Sequence, residues 1–223
     1  LETFCRVVQA DPGHLSTRIM LDISTDKLRQ DVPWAATRAL WYARIARTAD
    51  WFVSGEADRL ALAQPVEFEV KARATLADLG FSLTAKADRI DLAADGRAYI
   101  YDYKTGLPPS PSEQRYFDKQ LLLEAAMAEN GDFEGLGPVS VAEAIYIGLG
   151  SKPVTTAAPL DDEPPMQVWE AFHALIKAYQ DPAQGYTARR AMQSDKTLSD
   201  YDQLARFGEW DVTIPATVQM VKP

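Results

Sequence analysis

Helical periodicity dominates the front of the chain. The apolar residues of positions 1–8 recur on one helical face, and a second stretch rich in Ala, Leu, Trp and Arg runs from about 33 to 62. Both segments predict helices. Tryptophans at such spacing are more often core residues than a base-stacking platform, so burial is expected for Trp34, Trp41 and Trp51.

The period then changes to two residues. Val66, Phe68 and Val70 alternate with charged residues, which predicts a strand with one wet face. Two further strands are predicted at 81–92 and 98–104, with an Asp-Gly turn between them. The middle of the chain therefore predicts an antiparallel meander.

A Gly/Pro run at 106–111 stops the third strand, because proline cannot continue a sheet. A helix opening near Ser112, a strand at 139–147 and a helix at 166–179 follow. The order of elements is helices, three strands, helix, strand, helix, which is an α/β (α+β) pattern. Segments expected to be linkers are 150–165 and the part after 181.

Cysteine and histidine usage limits the possible chemistry. Cys5 is the only cysteine and the two histidines, His14 and His173, lie far apart, so neither a disulfide nor a Cys/His metal cage can form within the chain. Any metal must be held by oxygen, which suits magnesium, manganese or calcium. No apolar run approaches the ~20 residues that cross a bilayer and no signal peptide is visible, so a cytoplasmic protein without membrane contact is expected.

The formal net charge of -9 argues against a protein that captures nucleic acid over a broad basic surface. The charge is unevenly spread, however. Residues 71–120 contain eight Lys/Arg and seven Asp/Glu, so the excess of acid lies outside this segment.

Candidate chemistry lies within that segment. Residues two apart in a strand point to the same face, about 6.5 to 7 Å apart, so Asp102 and Lys104 project together while the Tyr103 side chain points away. Pairing across the Asp-Gly turn brings an acid from Asp88 or Asp91 near Asp102, and two carboxylates with a backbone carbonyl give part of an oxygen shell for a cation. The alternative is a solvated strand face, for which a single Asp-x-Lys is common.

Residues 85–106 have the sequence AKADRIDLAADGRAYIYDYKTG. Prolines and a predicted helix with the pattern Gln-Leu-x-Leu follow this segment. In this order the motifs resemble those of RecB-type exonucleases, most closely the C-terminal nuclease domain of the AddB subunit of bacterial AddAB helicase-nucleases. The tail YDQLARFGEW is also similar to AddB. The resemblance implies a PD-(D/E)xK, restriction-endonuclease-like core, in which helices flank a central mixed sheet, with a helical N-terminal section.

The resemblance also assigns roles to individual residues. Asp88 matches the first metal-binding acid, Asp102 the second acid, Lys104 the catalytic lysine and Gln120 the helix glutamine beside the site. Asp91 falls on a more variable acid of the motif and therefore ranks below Asp88 as a secondary candidate, the alternative being a salt bridge with a neighbour.

The implied cofactor is Mg²⁺ or Mn²⁺, held by Asp88, Asp102 and the backbone carbonyl of Tyr103. Where the RecB-type motif has a tyrosine four residues after the glutamine, this chain has Glu124, which leaves a DNA contact there in doubt. Glu124 and Glu67 are secondary candidates for the site. Many AddB relatives carry a four-cysteine iron-sulfur cluster, which this chain lacks the cysteines to bind.

The expected organisation is a nuclease domain at 1–180, cut from a larger subunit, with an extension at 181–223 packed on it. In the resembling family a histidine before the sheet completes the metal shell, inside a pattern whose end looks like the sequence from Leu1 to Phe4. That histidine would precede Leu1. Weak metal affinity and low activity are therefore expected of this piece alone.

The sequence and the resemblance leave three alternative functions. The first is a DNA exonuclease module that trims a single strand delivered by an AddA-type helicase partner during double-strand break repair. The second is a catalytically silent module retained for binding the partner or DNA. The third is a stand-alone endonuclease of the restriction type, which would cut closed circular DNA.

Overall fold

A computed structural model describes residues 1–186, 202–211, 213–215 and 217. The chain divides into two compact units, Leu1–Glu170 and Ala171–Pro223. The first unit contains the sheet and all the candidate site residues. The packing expected of the extension at 181–223 falls largely outside the described residues and stays a prediction.

A five-stranded mixed sheet forms the centre of the first unit, in the order β1-β2-β3-β4-β5. The first three strands are an antiparallel meander, β4 lies parallel to β3, and β5 is antiparallel to β4. This confirms the predicted mixed sheet and the meander. The strands are β1 (Gln64–Leu76), β2 (Phe81–Leu92), β3 (Ala98–Lys104), β4 (Val141–Gly148) and β5 (Val154–Ala157).

Helices flank this sheet, as the element order predicts. The α-helices in the described residues are α1 (Glu2–Ala10), α2 (Thr17–Asp31), α3 (Ala35–Leu62), α4 (Pro111–Tyr116), α5 (Gln120–Asn130) and α6 (Pro165–Gln180), the last of which continues into the second unit. The sequence pattern did not indicate α2, since Met20 is its only buried residue and its apolar stripe is correspondingly weak. The sequence did contain a start signal, because the Ser16 side chain caps the helix by accepting a hydrogen bond from the Ile19 N–H.

The two faces of the sheet carry separate cores. On β3, Ala98 and Ile100 point to the side covered by α5, whereas Tyr99 and Tyr101 point to the side covered by α1 and α3. We call these the α5-side core and the α3-side core. The first includes Val70, Ala72, Ala87, Ile90, Leu121, Leu122, Ala125 and Met127, and the second includes Phe4, Cys5, Val8, Ala49, Phe52, Phe68 and Ile147.

The alternation of β1 is interrupted at Glu69. Phe68 packs in the α3-side core and Val70 in the α5-side core, although residues two apart in a regular strand share a face. Glu69 between them has a φ of 55°, in the left-handed region that L residues with a side chain rarely adopt. The expectation that Val66, Phe68 and Val70 line one dry face is therefore wrong, and Val66 itself is exposed.

The backbone of Glu69 gives a testable expectation. Holding a residue with a Cβ in this region costs about 1–2 kcal/mol. Glu69→Gly should therefore unfold at a higher urea midpoint than Glu69→Val, the reverse of ordinary strand preference. Both variants lose the Glu69–Lys86 ion pair, so their difference isolates the backbone. A more stable valine variant would contradict the assigned conformation.

The segment after β3 differs from the prediction in two places. The single helix predicted from Ser112 is two helices, because α4 ends at Tyr116 and α5 begins at Gln120. The strand β5 lies within the predicted linker 150–165, where a short exposed edge strand leaves little hydrophobic signal. The Gly/Pro loop at 106–111 passes very close to the end of β4. A Cβ on Gly148 would overlap the ring of Pro108.

The first half of α3 exposes aromatic residues. Trp34 is 69% exposed and Trp41 37% exposed, so the expectation of burial is wrong for these two tryptophans. Trp51 packs partly buried against the α3-side core, as expected. The guanidinium of Arg44 lies 5.2 Å from the centre of the Trp41 ring, a cation–π contact.

In the second unit, Tyr179 and Tyr186 form a tilted ring pair with centroids 5.0 Å apart. Phe207 and Trp210 meet edge to face, and the Trp210 indole N–H donates to the Ala205 carbonyl at 2.8 Å. Over the described part of the chain, no helix combines the length and apolar character that crossing a bilayer requires.

Candidate active site

The strands β2 and β3 separate where the candidate site begins. Their pairing runs from Leu92 opposite Ala98 to Arg89 opposite Tyr101 and stops there. At the next position a side chain replaces the backbone pairing, because the Oδ2 of Asp88 accepts the Tyr103 N–H at 2.8 Å. The Asp88 side chain thus binds the neighbouring strand across the opening.

Asp88 is turned toward β3 by an interruption in β2. Ala87 belongs to the α5-side core, but Arg89 lies on the other face, with its guanidinium 5.7 Å from the Phe68 ring centre. The register places Asp88 opposite Glu69, where β1 is interrupted as well. Matching irregularities in two paired strands therefore orient the first acid.

Asp102, Lys104 and Gln120 form a closed ring of polar contacts on the α5 side of the sheet. The Lys104 Nζ lies 2.9 Å from Asp102 Oδ2 and donates to Gln120 Oε1 at 2.8 Å. The Gln120 amide donates to Asp102 Oδ1 at 2.6 Å. The structure thus brings together three residues predicted for the site, one from the start of α5 and two from the end of β3.

The Tyr103 side chain points away from the polar contacts of Asp102, Lys104 and Gln120, as the two-residue spacing predicts. Its aromatic ring lies 5.9 Å from that of Phe52, and its hydroxyl is 3.9 Å from the Cys5 sulfur, both in the α3-side core. Only the backbone of Tyr103 faces the opening, through the N–H that Asp88 accepts. The role of its carbonyl as a metal ligand stays a prediction.

Glu124 lies one helical turn after Gln120 and is buried, with 3% of its surface exposed. The Gln120 amide donates to its Oε1 at 3.1 Å, whereas its Oε2 has no hydrogen-bond partner among the residues that the structure describes. Burial raises the pKa of Glu124 to about 8, and the negative charges of Asp102 and Asp88 act in the same direction. This secondary candidate is therefore part of the same polar group.

Tyr146 forms the floor of the site, which sequence reasoning missed. It pairs with Asp102 across the parallel strands, and the Lys104 Nζ lies 5.1 Å from its ring centre. Its hydroxyl donates to Asp118 at 3.0 Å and accepts the Leu121 N–H at 3.4 Å, which ties β4 to the start of α5. Only the register of β3 against β4, which no local pattern contains, could have indicated it.

Two secondary candidates lie elsewhere. Asp91 is fully buried on the α3 side and binds Arg89 through two contacts of 2.6 Å each, so it forms the salt bridge that was the alternative to a place in the site. Arg89 also contacts Glu56 of α3 at 2.7 Å, and Arg59 completes the network at 2.9 Å from Glu56. Glu67 lies beside the loop at Gly135. Among the described interactions, none joins it to Asp102, Lys104 or Gln120.

The electrostatics of the group suit a cation. Burial raises the pKa of Asp88, and the nearby charges of Asp102 and Glu69 raise it further, against the lowering effect of the Tyr103 N–H. The buried Oδ2 of Asp102 lies 2.9 Å from the Lys104 Nζ but accepts no hydrogen bond of good geometry from any described residue. Neighbouring carboxylates that repel one another, with the Oδ2 of Asp102 still open to a ligand, fit a hard divalent ion. Among the described residues, no group of three or more His, Cys, Asp or Glu side chains is arranged to hold a metal. The roles of Asp88, Asp102 and the Tyr103 carbonyl as metal ligands stay a prediction.

The mixed sheet with an acid at the strand opening and an Asp-x-Lys pair beside it defines a nuclease-type core. A family model described as the PD-(D/E)XK nuclease superfamily matches residues 6–207. This chain belongs to that superfamily, which confirms the coarser part of the family prediction and indicates nuclease activity.

Known proteins give a more distant likeness. An uncharacterized protein of Rickettsia typhi is 27% identical over 116 residues, and one of Rickettsia bellii is 28% identical over 116 residues. The matched segment is 50% of this chain but only 13% and 14% of those proteins. The crystal structure of a protein called SSO0001 aligns over 76% of this chain and 97% of its own, with 13% identity and a TM-score of 0.30, a likeness too weak for any argument.

Proposed function

We propose that this chain is the DNA-cleaving module of a larger exonuclease, with Asp88, Asp102, Lys104 and Gln120 as its active centre. The observation that carries the proposal is the ring joining Asp102, Lys104 and Gln120 next to the Asp88 carboxylate. Two carboxylates, one ammonium group and one amide from β2, β3 and α5 thus lie together in a chain of the PD-(D/E)XK nuclease superfamily.

Each side chain has a distinct task in phosphodiester hydrolysis. The Lys104 ammonium, partly exposed above Tyr146, holds a phosphate oxygen and the attacking water and supports charge that develops on the phosphate. Gln120 fixes the positions of Lys104 and Asp102 relative to each other. The carboxylate of Asp88 is fixed by the Tyr103 N–H.

Magnesium or manganese is the proposed cofactor, held by Asp88, Asp102 and the Tyr103 carbonyl. When bound, such an ion acidifies a coordinated water and neutralises charge on the phosphate. With so few protein ligands, such an ion would keep room for water and substrate oxygens, as is usual for magnesium.

An AddA-type helicase as partner, and a place in double-strand break repair, belong to this proposal. The acidic balance of the chain supports delivery of a strand by a partner, since a chain of net charge -9 does not attract DNA over long range. The small share of the Rickettsia proteins that is matched is consistent with a module inside a longer subunit.

The proposal is tested with purified protein on end-labelled linear duplex, single-stranded DNA and closed circular DNA, with Mg²⁺, Mn²⁺ or EDTA. We expect metal-dependent loss of the linear forms and intact circles. Lys104→Ala should lower the rate by roughly 100-fold, because it removes the cation at the phosphate. The matched control is Lys152→Ala, an exposed lysine.

Two other results would change the assignment. Cutting of closed circles would identify a restriction-type endonuclease instead. Equal rates for wild type and Lys104→Ala, with the helicase partner and ATP present, would identify a catalytically silent module.

A further inference from the structure

The side-chain amide of Gln120 is satisfied on every side. Its oxygen accepts from the Lys104 Nζ, and its nitrogen donates one N–H to Asp102 Oδ1 and the other to Glu124 Oε1. An amide has two donors and one acceptor oxygen, so these three partners determine which way it points. The reversed amide would place its NH₂ against the Lys104 ammonium and its oxygen against the Asp102 carboxylate.

Stability does not account for Glu124. The residue is 3% exposed and its carboxyl lies near the acidic groups of Asp102 and Asp88. Within the described part of the chain, nothing hydrogen-bonds to its Oε2. Burying a carboxyl group with half of its acceptors empty costs free energy, and an apolar side chain would fill the same space on α5 without that cost. The contact it makes with Gln120 is the one use of the carboxyl that the described residues display.

We propose that Glu124 is a positioning residue, which acts through the Gln120 amide to hold the Asp102 carboxylate in its working orientation. The inference rests on the proposed function of the same site. Glu124 occupies the second N–H of Gln120, so the first N–H stays directed at Asp102 Oδ1 and the other oxygen of Asp102 stays on the Lys104 side.

Glu124→Leu and Glu124→Gln separate positioning from structural support. Leucine fills the space without an acceptor, whereas glutamine can turn its oxygen to the Gln120 N–H. We expect Glu124→Leu to lower kcat about tenfold with KM nearly unchanged, because displacement of a reacting group by a fraction of an ångström has effects of this order. Its Tm should equal or exceed that of wild type, and Glu124→Gln should recover most of kcat. Glu170→Leu, at an exposed glutamate, is the control.

The side-chain NH₂ signals of Gln120 in ¹⁵N NMR spectra give a readout independent of turnover. In wild type the two protons should exchange slowly with solvent, and Glu124→Leu should accelerate exchange of both. If kcat and Tm fall together in the leucine variant without rescue by glutamine, Glu124 is merely structural. Unchanged NH₂ exchange in Glu124→Leu also overturns the inference. An inactive wild type with the expected NMR change would refute the proposed function but leave the positioning of Gln120 intact.

Discussion

Asp102→Asn is expected to lower kcat/KM for DNA hydrolysis by about 10³-fold. Asparagine keeps the shape and can still accept the Gln120 amide hydrogen bond, but it turns an NH₂ group toward the Lys104 Nζ, which lies 2.9 Å from Asp102 Oδ2. It also removes a negative ligand of the proposed cation, whose charge stabilisation is worth several kcal/mol, and 1.4 kcal/mol corresponds to tenfold in rate.

The measurement is the steady-state release of nucleotides from end-labelled linear DNA across a range of Mg²⁺ concentrations. Asp58→Asn makes the same chemical change at an exposed position of α3 and should leave the rate unaltered. The asparagine variant should remain folded with little change in Tm, because relief of the repulsion from Asp88 and Glu124 offsets the lost ion pair with Lys104. Activity of Asp102→Asn within a few fold of wild type would rule out this carboxylate as a metal ligand.

Glu56→Leu is expected to lower the free energy of unfolding by about 3–5 kcal/mol, the usual cost of leaving a buried charge unpaired. Glu56 is fully buried and binds Arg89 at 2.7 and 2.8 Å and Arg59 at 2.9 Å. With Asp91, these residues make a neutral set of two cations and two anions. Removing Glu56 leaves a net positive charge on the α3 side of the sheet, which neither water nor another acid of the set can compensate.

Urea unfolding curves of Glu56→Leu, with Asp58→Leu on the same helix as the exposed control, measure this loss. The double variant Glu56→Leu with Arg89→Met removes one charge of each sign. Its loss should be smaller than the sum of the two single losses, because neither partner is then left alone. Strict additivity would mean that the two side chains do not stabilise each other.

The local sequence pattern is enough to predict the part of the candidate active site that lies in the hairpin of β2 and β3. The two-residue period placed Asp102 and Lys104 on one face and the Tyr103 ring on the other, and the Asp-Gly turn gave the pairing of β2 with β3. These features depend on neighbours in sequence, whose geometry the strand repeat fixes.

Features that depend on packing were not predictable in this way. The spacing alone left Asp88 and Asp91 as alternatives, and only the resemblance ranked them. The structure separates them because β2 breaks its alternation at Asp88, opposite the left-handed Glu69. Glutamate gives no local signal for that conformation, unlike glycine. Tyr146 was missed for a similar reason, since its place under Lys104 comes from the parallel register of β4.

The helix α5 connects β3 to the parallel strand β4, and this connection has a consequence for synthesis of the protein. A chain that has left the ribosome only as far as Lys104 contains both aspartates and the lysine, but has no Gln120 to join them and no Tyr146 beneath them. Parallel pairing needs the whole crossover, so the ring cannot close until residues up to Gly148 have emerged and folded back. The nascent polypeptide is therefore expected to stay without hydrolytic activity until the crossover is complete.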